Sequence, residues 1–110
     1  MRQHPDSIAR KHPRILALLR ELEVSLPAGS HQIVDHWESD LCAIGVASPG
    51  DPRRLVHVST YGQAEGTFAF ECEAPPGDGC EDYQVVARGE GLGRDALLQK
   101  IRAHLEPGRE

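Results

Sequence analysis

The sequence predicts an α+β fold. It is a two-layer sandwich in which a four- to five-stranded antiparallel meander carries N- and C-terminal helices on one face. Three observations lead there. The stretch His31–Glu73 contains four β-like segments, HQIVDHW, LCAIGVAS, LVHVST and TFAFECE, separated by turn-rich links. The stretches before and after it place apolar residues at helical spacing. The links between strands are short, and parallel neighbours would need long crossovers. The order is therefore α-β-β-β-β-β-α, and the 110 residues make a single domain, 1–110.

At the N-terminus, Asp6 or Ser7 can cap a short first turn with Ile8 pointing inward. Pro13 separates that turn from the main helix. In a helix interior it would lose a hydrogen bond and clash with the carbonyl of Ala9, but at a first helical position it is welcome. From Pro13 onward, Ile15, Leu19 and Leu22 form an apolar stripe flanked by Leu16 and Leu18, with Arg14, Arg20 and Glu21 on the wet side. The segment Leu26-Pro27-Ala28-Gly29-Ser30 ends the helix.

His31–Trp37 is the first expected strand. Its facing is ambiguous, because Ile33 and Trp37 share a side with Asp35, and Val34 shares one with His36. Leu41–Ala47 is the second, with Cys42, Ile44 and Val46 on one side and the small residues Ala43, Gly45 and Ala47 on the other. That small set leaves room above the backbone. Ser48–Pro52 holds two prolines and a glycine and reads as loop. Leu55–Thr60 is the third strand, with Val56 and Val58 inward and Leu55, His57 and Ser59 outward. A hairpin turn follows in Tyr61–Gly66.

Thr67–Glu73 has the cleanest alternation, with Phe68, Phe70 and Cys72 inward and Ala69, Glu71 and Glu73 outward. Ala74–Asp82 reads as loop, and Tyr83–Arg88 as the fifth strand. Gly89-Glu90-Gly91-Leu92-Gly93 reads as a flexible hinge. The last helix carries Leu97, Leu98, Ile101 and Leu105, with Leu92 as a staple at its entry. Pro107-Gly108 stops it.

Composition narrows the partners. The formal net charge is −5, which opposes a phosphate-backbone or anionic-membrane binder and suits a basic protein partner. The chain begins without an apolar run, and no stretch approaches the length of a membrane span, so a cytoplasmic location is expected. Cys42, Cys72 and Cys80 are odd in number and lack a CxxC pair, which suits free thiols. A Cys72–Cys80 bridge would require export.

No motif compels an enzymatic chemistry. Ser59, His57 and Asp35 are triad residue types, but neighbours at i and i+2 on a strand sit roughly 6–7 Å apart at Cα. No GxSxG elbow surrounds Ser59. Cys42 or Cys72 with His57 makes no better nucleophilic pair. His36, Asp40, His57, Glu71, Cys72 and Cys80 are ligand types without the paired spacing of a zinc site, so no metal or cofactor is expected. The Gly89–Gly93 segment misses the full GxGxxG pattern, and Glu90 would repel a phosphate.

The expected function is that of a small acidic, non-catalytic protein-binding domain, of inhibitor or immunity type. It binds a basic protein partner through the open sheet face. The contact residues are Asp35, Trp37, Asp40, His57, Ser59, Tyr61, Glu71 and Glu73, with Trp37 and Tyr61 as anchors. The alternative is a small enzyme or a ligand- or metal-binding domain that uses His57 with neighbouring carboxylates. An exposed sheet face or edge also allows a homodimer.

Overall fold

The computed structural model describes residues 6–35, 40–76 and 83–105. One short helical turn, α1 (Asp6–Ala9), precedes α2 (Pro13–Ser25). Five strands follow: β1 (Gln32–Val34), β2 (Ala43–Ser48), β3 (Asp51–Ser59), β4 (Thr67–Ala74) and β5 (Gln84–Gly93). The chain closes with α3 (Arg94–Leu105). The strands form one antiparallel sheet in the order β1-β2-β3-β4-β5, the expected meander.

Pro13 occupies the start of α2, as its missing N–H requires. His12 caps the helix: its ring Nδ1 accepts from the Arg14 amide at 3.1 Å. The other end closes at Leu26, whose N–H donates to Leu22 O at 3.0 Å before Pro27 forces extended backbone. Ile15, Leu18, Leu19 and Leu22 are buried at i, i+3, i+4 and i+7, so the stripe faces the sheet. In α3 the buried set is Leu97, Ile101 and Leu105. Both stripes join one core with Ile44, Val46, Val56, Val58, Phe68, Phe70 and Cys72. The two helices therefore cover the same sheet face. Removing a side chain such as Leu22 from that core typically costs about 2–5 kcal/mol.

Several expected boundaries move. The first strand was expected over His31–Trp37. It is shortened to β1, and His36, Trp37, Glu38 and Ser39 lie outside the described residues. Ile33 packs against the core, and Asp35 lies just past the end of β1. The second strand starts at Ala43 instead of Leu41.

The Ser48–Pro52 loop shrinks to a two-residue turn, because Asp51 pairs with Ser48 and begins β3. The register then jumps to Ala47 opposite Leu55. Pro52, Arg53 and Arg54 form the irregularity between those pairs, where a proline costs no ladder bond. Arg53 ties the turn to Asp51 through Nε–Oδ1 at 3.2 Å and Nη2–Oδ2 at 3.3 Å.

The largest difference is β5. Its expected end at Arg88 extends to Gly93, and the glycine segment is strand instead of hinge. Gly89 pairs with Phe70, and a Cβ there would stand 2.8 Å from the ring carbon Cε1. Only a bare α-carbon admits that ring. Gly91 has φ of 72° and sits in a bulge where Glu90 and Gly91 both oppose Ala69. Its N–H donates to Gln63 Oε1 at 2.8 Å.

Candidate functional site

The second sheet face is built by alternation. Because Val56, Val58, Phe70 and Cys72 point to the helices, His57, Ser59, Glu71 and Glu73 point away. The ladder aligns Val34, Gly45, His57, Glu71 and Arg88 across all five strands in a single row. Directly opposite residues of this kind sit close enough to interact pairwise.

A recess of about 420 Å³ opens to solvent along this row. His57, Ser59 and Glu71 line it together with Arg88 and Glu90, and Ala69 and Gly89 are part of its wall. Arg88 Nη2 stands 3.8 Å from Glu71 Oε2, with both side chains substantially wet. Such an exposed pair positions charge and contributes little stability. Glu90 extends the acidic rim. Burial pushes the His57 imidazole pKa below its ordinary value. Glu71 and Asp40 oppose that shift, and Lys11 reinforces it. The ring is consequently neutral near pH 7 and presents one donor and one acceptor.

The face is only half open. Gly45 is buried, as are Ala43, Ala47 and Leu55, and the last three lie outside the main core cluster. The space expected above β2 is therefore closed, and the open part lies over β3, β4 and β5.

The other expected contact residues are dispersed. Tyr61 is 80% exposed, with its N–H donating to Ser59 Oγ at 3.1 Å. Asp40 is exposed, and its Oδ1 accepts from the Cys42 amide at 3.0 Å. Glu73 is half-buried, and its backbone carbonyl accepts from His104 Nε2 at 2.6 Å. Trp37, the expected anchor, lies outside the described residues.

Asp35 is a covered carboxylate. Its carboxylate lies 3.0 Å from Lys11 Nζ, and only 3% of its side chain is exposed. This leaves little of the Asp35 side chain for a partner to touch. The residue is retained by a charge partner that sequence spacing did not reveal.

Sequence reasoning missed Arg88 and Glu90 as members of the recess. Their i, i+2 spacing was a usable signal, but β5 was expected to end at Arg88. Among the described residues no cluster of three or more His, Cys, Asp or Glu side chains could hold a metal ion. No helix is long and apolar enough to cross a membrane among those residues. Comparison with protein-family models, with curated proteins and with solved structures gives no match.

Proposed function

We propose that the protein is a small non-catalytic binding domain, of inhibitor or immunity type, that engages a basic protein partner across the open part of its sheet. The supporting observation is the recess itself. It is shallow, it opens to solvent, and two glutamates flank a single arginine in it. A neutral His57 and the Ser59 hydroxyl add directional hydrogen bonding. Exposed Tyr61 supplies an amphipathic ring of the type enriched at binding hot spots. The proposed compartment is the cytoplasm, supported by the free thiols of Cys42 and Cys72.

Affinity capture from the native cell, followed by binding measurements with the purified partner, tests this reading. The expected partner has a basic contact surface. The double variant Glu71→Lys/Glu90→Lys should weaken its binding by at least about tenfold, through like-charge repulsion. Tyr61→Ala should cost about 2 kcal/mol if the ring is an anchor. Undiminished affinity in the folded glutamate variant overturns the proposal.

One observation favours a second reading, a ligand or catalytic site at His57. A neutral imidazole in register with a carboxylate is the arrangement of a general base. Native mass spectrometry of the protein from its own cell tests it, since this reading expects a bound small molecule lost in His57→Ala.

A further inference from the structure

A second concavity lies on the helical side of the sheet, between α2, the start of β4 and the first residue of α3. It encloses about 470 Å³, and Leu18 and Phe68 contribute to its lining. Three arginines, Arg14, Arg20 and Arg94, surround that apolar lining, with Glu21 as the one acidic lining residue. This is a local reversal of sign on a chain of net charge −5. Val24 adds an 83% exposed apolar side chain at one end.

The three cations are not equivalent. Arg14 Nη1 donates to Ala64 O at 3.2 Å, which anchors its guanidinium at one wall. Arg94 lies 3.8 Å from Glu21 and 3.5 Å from Asp95. Arg20 is exposed and forms no ion pair among the described residues. Five donors on an unpaired guanidinium match a carboxylate in bidentate fashion.

Spacing identifies the ligand class. Arg14 and Arg20 are separated by about 9 Å along the α2 axis, at 1.5 Å per residue. That separation suits two anionic groups carried on one extended ligand. The groove follows α2 from Arg14 to Val24, about 15 Å, the span of roughly four or five extended residues.

We propose that this groove binds an acidic peptide segment of a partner protein, with carboxylates on Arg14 and Arg20 and an apolar side chain seated between them. Charge complementarity and the separated cations select this occupant. The surface is distinct from the recess on the opposite sheet face and does not depend on it.

The test is a titration of the isotope-labelled full chain, followed by amide NMR shifts. The probes are an acetylated, amidated hexapeptide alternating glutamate and leucine, its lysine–leucine counterpart, and dodecanoate. The acidic peptide should produce saturable shifts at Ala17, Val24 and Gly66, and the lysine peptide none. Arg20→Glu should weaken that binding by at least about tenfold, with the rest of the spectrum unchanged. Absence of saturable shifts at those amides overturns the proposal. So does binding that survives Arg20→Glu, or tighter binding of dodecanoate at the same residues.

Discussion

Lys11 Nζ stands 3.0 Å from Asp35 Oδ1, with 0% and 3% of the two side chains exposed. The same ammonium donates to Asp40 O at 2.6 Å. A charge placed in the segment before α2 thus fixes both ends of the β1–β2 connection. The backbone reinforces this, since His12 N donates to Leu41 O at 2.8 Å.

Breaking that pair from one side takes the opposite charge away from a buried charged group. Asp35→Asn or Lys11→Met should each destabilise the fold by roughly 3–5 kcal/mol. The double replacement Lys11→Met/Asp35→Leu should recover most of the loss, because no charge remains to be desolvated. Urea unfolding of the three variants checks this. Single-variant losses under about 1 kcal/mol would place the pair with exposed ones.

Gly89→Ala should cost about 1–3 kcal/mol, the usual range for overpacking a filled core. The added methyl meets the ring of buried Phe70 at 2.8 Å. Gly50→Ala is the matched control, since nothing lies within 4 Å of its position. Thermal melts should show a clear loss for the first and little change for the second. Phe70→Leu in the Gly89→Ala background should cost less than Phe70→Leu alone.

Three histidines link stability to pH. Burial is the main cause that lowers the pKa of His31, His57 and His104 from the ordinary 6.5. The unfolded chain then takes up protons at a higher pH than the folded one. Stability is full above about pH 6.5 and falls as the pH drops below it. The fall stops once the folded imidazoles also charge. Urea midpoints at pH 7.5 and 5.0 should differ accordingly, and His57→Gln should reduce the difference. Imidazole resonances of His57 should titrate below 6.5; a midpoint above it contradicts the prediction.

Burial raises the Cys72 thiol pKa, with Lys100 pulling weakly the other way. The folded protein should therefore alkylate Cys72 far more slowly than the half-buried Cys42 at pH 8. Timed iodoacetamide labelling with peptide mass spectrometry measures both. Urea should equalise the rates.

The fold was legible where alternation was strict. Phe68, Phe70 and Cys72 against Ala69, Glu71 and Glu73 identified both faces of β4 without ambiguity. Pro13 marked the start of α2 because its missing N–H admits few other places. Failures occurred where local chemistry and tertiary pairing disagree. The Gly89–Gly93 segment has little strand propensity of its own, yet Phe70 needs an empty α-carbon beside it. Pro52 reads as a breaker, but an irregular register absorbs it. The ion pair of Asp35 was not legible, because Lys11 is 24 positions earlier and carries no periodic signature. The recess was half visible: His57, Ser59 and Glu71 follow from parity, whereas Arg88 and Glu90 required the true length of β5.

The two irregularities in β5 also govern what the sheet can do beyond its own boundary. Val86 is an extra residue between the Cys72–Ala87 and Glu73–Val85 pairs, and Glu90 with Gly91 crowd opposite Ala69. A straight incoming strand would fall out of step at both places. Among the described residues β5 is the longer edge of the sheet, and it is thereby a poor template for fibrillar stacking, despite its exposed valines. Deleting Val86 would remove one of the two interruptions and lengthen the stretch that an incoming strand could match.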